Sequence, residues 1–252
     1  MSGHSKWSTI KRKKGAEDAK RGKIFTRLAR DITVAAREGG GNEDANPRLK
    51  LAIAKAKQAN MPKENIERAI KKGTGELAGG DMDEITYEAY GIDGVAFIIE
   101  VLTDNKNRAL AEIKHVLNKN GGNLASSGAV AWQFEMKGNI LVSPEGVDFE
   151  ELFMVAAEAG AEDVVQDDEI ITVITPREMF GAVMQTLVDN GYKVDQSASE
   201  LLWQPKNETE VSTESALKNI KLLERLEELD DVQSVAHNML LTDEIATAYE
   251  KA

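Results

Sequence analysis

The side chains able to do covalent or acid–base chemistry are few and scattered in this chain. Its three histidines, His4, His115 and His237, fall on different predicted elements at no spacing suited to a metal or a catalytic triad. There is no cysteine, so disulfides, thiolate zinc sites and cysteine nucleophiles are excluded. The run Asp167-Asp168-Glu169 lies between two predicted strands, where a solvated turn accounts for it without a metal. Gly73-Thr-Gly75-Glu-Leu-Ala78 fits the loose form of a phosphate-cradling turn, but that turn must follow a strand and open a helix. Here it follows a helix and precedes a strand pattern. No catalytic residue, metal site or cofactor is expected, and the chain is read as a non-enzyme.

What remains is electrostatic chemistry, and it is sharply divided. Residues 1–75 hold 19 Lys and Arg against 8 Asp and Glu, a balance of +11, while the remainder holds 12 against 35, or −23; together they make the overall −12. A pI near 4.9 thus hides a strongly basic module joined to an acidic body, and this asymmetry points to a polyanionic partner. The candidate phosphate-binding residues are Lys6, Lys11, Arg12, Lys13, Lys14, Lys20, Arg21, Lys23, Arg27, Arg30, Lys71 and Lys72. Trp7 joins them as a side chain that either packs back on the module or stacks on a base.

The elements that carry these residues are legible from periodicity. Residues 1–16 read as a basic arm. From Glu17 to Arg37, Ile24, Phe25, Leu28, Ile32, Ala35 and Ala36 recur at helical spacing, and Gly39-Gly40-Gly41 follows as a stop. At about 100° per residue Lys20, Lys23, Arg27, Arg30 and Arg37 share an arc opposite the apolar one. Asn46-Pro47 opens a second helix to about Ala59, and Glu64–Lys72 forms a third, with Gly73 as its stop. Lys71 and Lys72 sit in its last turn, where cations also complement the helix dipole. So small a bundle is expected to lean on its neighbours or its ligand.

From Ile85 the period changes. Strands at 85–90 and 95–102, a helix at 107–118 and a strand at 129–135 are followed by a β-α-β-β-α-β order over 139–203, the ferredoxin-like pattern, then a helix at 214–229 and a strand at 232–238. The fold class is α+β in three domains: a basic helical bundle over 1–75, then two ferredoxin-like α+β domains, one inserted in the other. The first is built from 80–135 plus 206–240, and the inserted one spans 136–205. No apolar run approaches the roughly 18 residues of a membrane span, and no secretory signal follows the first residues. A cytoplasmic monomer is the expectation.

The runs Gly3-His-Ser-Lys-Trp7, Arg21-Gly-Lys23-Ile-Phe-Thr-Arg27-Leu28, Asn46-Pro-Arg-Leu49, Asn60-Met-Pro-Lys63 through Gly73, and Leu102-Thr-Asp-Asn105 resemble the YebC/PmpR family over essentially the full chain. The resemblance implies an N-terminal helical domain and two α+β domains around a cleft. It also implies a regulator of gene expression, described either as a DNA-binding transcriptional regulator or as a ribosome-associated translation factor that relieves stalling. It carries nucleic-acid binding to Lys6, Lys11, Lys13, Lys14, Arg21, Lys23 and Arg27. Reading a DNA sequence wants base-reaching Asn, Gln or Arg on a groove helix, and the cationic helix has no Asn or Gln. Its Arg and Lys suit phosphates, which position without specifying. The residues therefore lean toward shape-led RNA or ribosome binding and the family description toward transcription. A ligand sensor, with an acidic cleft favouring a cationic small molecule, is the reading from a different class.

Overall fold

The computed structural model describes residues 21–78, 81–166 and 170–251, with the main chain alone at 21–23 and 197. The basic arm expected over 1–16, and the acidic run at 167–169, lie outside the described residues. Residues 135–204 form one compact unit, and the segments on either side of them together form the other.

In the larger unit three helices come first: α1 (Arg21–Gly39), α2 (Pro47–Gln58) and α3 (Lys63–Gly73). Their shared core is made mostly of small and medium side chains, among them Ile32, Ala35, Ala36, Leu49, Ile53, Ala56, Ile66 and Ala69. Small residues let the helix axes come close, and then polar groups at the seam must be satisfied. Asn46, 4% exposed, does this for two helices at once. Its Oδ1 accepts from Leu49 N at 3.0 Å and caps α2, while its Nδ2 donates to the carbonyls of Ala35 (2.7 Å) and Gly40 (2.9 Å) at the end of α1.

Gly73 has a different role from the stop predicted for it. It still belongs to α3, and a Cβ there would lie 2.3 Å from the Thr33 carbonyl and 2.7 Å from Ala36 Cβ. It is the point where α3 touches α1. The turn that leaves the helix is made two residues later, at Gly75 with φ +81°.

The rest of this unit is built on a four-stranded sheet. Strand β1 (Asp83–Tyr90) pairs antiparallel with β2 (Ala96–Thr103), the short β3 (Asn123–Leu124) lies outside β1, and β8 (Val232–His237) completes the far edge, giving the order β3-β1-β2-β8. Helices α4 (Lys106–Lys119), α7 (Thr213–Glu227) and α8 (Asp243–Glu250) cover one face. There Phe97, Ile99 and Val101 meet Ile113, Leu117, Ile220, Leu223 and Tyr249. Ala96, Ile98 and Leu102 on the other face are buried too, so β2 reads as an almost unbroken apolar run.

The smaller unit is β4 (Phe134–Val142), α5 (Phe149–Glu158), β5 (Asp163–Gln166), β6 (Ile171–Pro176), α6 (Phe180–Asp189) and β7 (Val194–Pro205). Its sheet order, β5-β6-β4-β7, places the first and third strands side by side in the centre, as a ferredoxin-like βαββαβ requires. The fold is mixed helix and sheet as the sequence indicates. The ferredoxin-like order belongs to this sheet, whereas the larger unit's sheet keeps the β1–β2 hairpin in its centre and is ordered differently.

One predicted strand dissolves. Residues 129–133 form a loop and a 3₁₀ turn (Ala131–Gln133), and the strand begins only at Phe134. The cause is Glu88, 7% exposed on β1, whose carboxylate accepts backbone N–H bonds from Gly128 (2.5 Å), Val130 (2.6 Å) and Ala131 (2.8 Å). A buried carboxylate that gathers three donors wraps the backbone around itself and takes it out of any ladder. Burial alone would raise the Glu88 pKa, but the three N–H bonds outweigh it and hold the pKa below the usual glutamate value.

Two measurements check these assignments. Gly73→Ala should destabilise the protein by about 2 kcal/mol through overpacking, and Gly75→Ala by about 1 kcal/mol through its positive φ, both read by urea unfolding; a neutral Gly73→Ala would refute the close approach. Because the folded Glu88 pKa is depressed, its stabilisation is fully present above the unfolded value of about 4.3 and is lost as pH falls through the lower folded value. Glu88→Gln should therefore lower the melting temperature at pH 7 and flatten its decline between about pH 5 and 3; an unchanged acid limb would remove Glu88 from that role.

Candidate nucleic-acid interface

Of the residues assigned to phosphate binding, Lys6, Trp7, Lys11, Arg12, Lys13, Lys14 and Lys20 lie outside the described residues, and Arg21 and Lys23 stand in the first turn of α1 with only their main chain described. The remaining four separate into two pairs with different surroundings.

Arg27 and Arg30 face the chain's own turn between α7 and β8. The Arg27 guanidinium donates to the carbonyl of Glu227 and, at 3.3 Å, to that of Leu229. Its Nε is buried without a hydrogen-bond partner among the described residues, and burial pulls its pKa below the ordinary arginine value against the attraction of Glu227, Asp230 and Asp31. Arg30 donates through Nη1 to the Asp230 carbonyl at 2.5 Å and pairs through Nη2 with Asp231 Oδ1 at 2.7 Å. Further along the same arc, Arg37 donates to the Met82 carbonyl at 3.4 Å and approaches Asp81 at 3.8 Å. Of the cationic stripe read from the sequence, the part whose side chains are described, Arg27, Arg30 and Arg37, docks α1 on the acidic body.

Asp231 anchors that docking. Its side chain is 3% exposed. Besides Arg30 it receives Arg108 Nη2 at 2.8 Å, Arg108 Nε at 3.3 Å and the Thr103 hydroxyl at 2.9 Å. Thr103 Oγ1 in turn accepts from Asn105 N at 3.0 Å, and Asn105 Oδ1 caps α4 by accepting from Arg108 N at 3.1 Å. Asp104 takes the other side of the same guanidinium at 2.7 Å. Its hydrogen bond to Arg108 holds the Asp104 pKa below the usual carboxylate range, and the two acids raise that of Arg108. The stretch Leu102–Asn105, notable in the sequence but without a role there, is the seat of this network. Sequence reasoning missed Asp231 and Arg108 because the partners are more than 120 residues apart.

Lys71 and Lys72 remain exposed at the end of α3. Lys72 lines a cavity of about 730 Å³ together with Arg68, Asn65, Phe25 and Met61 from the bundle and Asp104 from the β2–α4 turn. Arg68, exposed one turn before Lys72, is a cation of this surface that the sequence reading passed over. The exposed Lys50 and Lys57 of α2, a helix with no acidic residue, were passed over as well. Arg48 of the same helix is held by Glu38 and Glu84. Among the described residues no group of three or more His, Asp or Glu could hold a metal ion, and no helix is long and apolar enough to cross a membrane.

Removing Asp231 would take from Arg30, Arg108 and the buried Thr103 hydroxyl the acceptor they share. Asp231→Ala should therefore cost about 3–5 kcal/mol in urea unfolding. Adding Arg30→Leu should recover part of that cost, because the half-buried cation that has lost its counter-charge is then gone. Additive effects in the double variant would rule out the Arg30–Asp231 pairing.

With this geometry in place, comparison with known proteins is direct. Residues 5–76 match the TACO1/YebC protein N-terminal domain, and residues 82–239 match the TACO1/YebC second and third domain. A probable transcriptional regulatory protein of Desulfotalea psychrophila is 55% identical over 247 residues, covering 97% of this chain and 98% of its own. One from Syntrophus aciditrophicus is 51% identical over 246 residues with the same coverage. The crystal structure of a conserved hypothetical protein from Aquifex aeolicus superposes with a TM-score of 0.82 at 47% identity, over 90% of this chain and 93% of that one. Matched across nearly its whole length in both sequence and structure, the chain belongs to the TACO1/YebC family.

Proposed function

We propose that the protein is a non-enzymatic regulator of gene expression that binds nucleic acid through the basic module of residues 1–75. One observation carries the reading. Within the cationic arc Arg27, Arg30 and Arg37 are engaged by the chain's own 227–231 and 81–82 segments, which fixes the module to the acidic body and leaves other cations facing outward. Those outward cations are Arg68, Lys71 and Lys72, and the proposal adds Lys6, Lys11, Arg12, Lys13, Lys14, Lys20, Arg21 and Lys23, with Trp7 as a stacking group. The acidic remainder repels the same polymer and so orients it. The relatives' description as probable transcriptional regulatory proteins supports DNA as the polymer.

A second reading, RNA or the ribosome, is favoured by the docking itself. A helix whose Arg27 and Arg30 are turned to its own body cannot present them to base edges in a major groove, and the lysines that predominate among the other cations suit phosphates, which carry no sequence information. We further take 1–75, 80–135 with 206–240, and 136–205 as the functional divisions, acting in the cytoplasm as a monomer, without a catalytic step, cofactor or membrane.

The full-length protein should bind promoter DNA or ribosomes with an affinity that falls steeply with salt, since each neutralised phosphate contributes about −0.9 to the log–log slope on duplex DNA and about −0.7 on single strands. Lys13→Ala with Lys14→Ala should reduce the slope by roughly one unit for each phosphate no longer neutralised, and should weaken all sequences alike. Arg27→Ala should instead lower stability and leave the slope unchanged. Trp7→Ala should weaken binding by about 1–3 kcal/mol with no change in folding if it stacks on a base. Salt-independent binding, or none to either polymer, would overturn the proposal.

A further inference from the structure

Outside the basic module the chain is strongly acidic, yet one groove on the larger unit is lined only by neutral and basic side chains. It lies between α4 and α7, has a volume of about 480 Å³, and is bounded by His115, Val116, Lys119, Asn120, Lys221 and Arg225. His115 and Lys119 are four residues apart on α4, and Lys221 and Arg225 four apart on α7, so each helix contributes one ladder to the same face. The two ladders meet across the groove. All four side chains belong to exposed residues, and Lys119, Lys221 and His115 take part in no ion pair among the described residues. Arg225 pairs with Glu228 at 2.8 Å, but both are about half exposed, and so open a bridge is worth little and opens readily to a competing anion.

Helix-end electrostatics account for part of the pattern. Lys119 and Arg225 each stand in the last turn of their helix, where a cation offsets the negative end of the dipole. Lys221 lies further back in α7, and nothing in the dipole argument brings it opposite His115 and Lys119. Lys119 and Lys221, with only the Glu228 carboxylate on neighbouring Arg225 to offset them, repel one another, and the arrangement is relieved when an anion enters. Exposed cations drawn from two helices around an open groove suit successive phosphates of a chain better than one buried anion.

We infer that the α4–α7 groove is a second phosphate-binding surface, taking the sugar-phosphate backbone of the nucleic acid whose other part is held by residues 1–75. This rests on the function proposed above and extends it: attachment at two separate places fixes the orientation of the polymer along the protein, which a single basic arm does not.

The test uses the full-length protein with Lys119→Ala and Lys221→Ala combined, beside Lys114→Ala, an exposed lysine of α4 outside the groove. The double variant should melt as the parent does. Its log–log salt slope should fall by about 1.4–1.8 units, two phosphates at about 0.7–0.9 each, and Lys114→Ala should change it less than either groove lysine alone. Inorganic phosphate and a mononucleotide, titrated separately, should bind the groove at least a hundredfold more weakly than the polymer. If the parent binds no nucleic acid, the functional reading fails and the groove inference with it. If the parent binds, and Lys13/Lys14 replacement lowers the slope while Lys119/Lys221 replacement does not, only the groove inference is overturned. Tight phosphate or mononucleotide binding abolished by the double variant, with polymer binding unchanged, would likewise overturn it in favour of a small-anion site.

Discussion

The placement of the basic module depends on one buried carboxylate. Asp231 sits immediately before β8 with its side chain 3% exposed and accepts from Arg30 on α1, Arg108 on α4 and Thr103 at the end of β2. A lone carboxylate could not be buried this way, because desolvation would cost more than any one partner returns. Two guanidinium groups and a hydroxyl supply the donors that water would otherwise give. Each partner belongs to a different element, so the same charge that needs them also holds the helical bundle against the sheet.

This distribution gives the cations of the chain two roles that composition alone cannot separate. Arg27 and Arg30 have a rigid planar fork and are turned inward, where directional bonds to carbonyls and to Asp231 matter. Lys71, Lys72, Lys119 and Lys221 stay exposed, each a compact, strongly hydrated charge on a flexible stem. The module's surplus charge is therefore not all available to a ligand. Part of it is the complement of the acidic body.

How much could be read from the chain follows the range of the interactions involved. The Asn46-Pro47 start and the βαββαβ order of the inserted unit are local signals, written in adjacent residues, and the structure carries both. Gly73 is legible as a glycine but not as a point of close approach, because the constraint on it comes from Thr33 on another helix. Residues 129–135 alternate well enough for a strand, and only Glu88, forty residues earlier, turns them into a loop. Arg27 and Arg30 lie on the correct arc of α1; that the arc faces protein depends on residues 200 positions away. Helix α8, with Thr242 as its cap and Ile245 and Tyr249 buried, escapes a reading by periodicity because two inward side chains are too few to show one.

The nesting of one unit within the other also sets an order of events during synthesis. Gln133 and Lys206, at the entrance and exit of the inserted unit, are joined by a 2.8 Å backbone hydrogen bond, so residues 135–204 leave and return at one place and can condense as soon as they are made. The sheet they interrupt has no such freedom. Its edge strand β8, the covering helix α7 and Asp231 itself all follow the insertion in the chain. A nascent protein that has not reached residue 231 lacks the segment that receives Arg27 and Arg30, although the partners of Arg37 and Arg48 at residues 81–84 are already made. Until then α1 keeps in solvent two guanidinium groups that the finished molecule turns inward, and completion of the chain withdraws them.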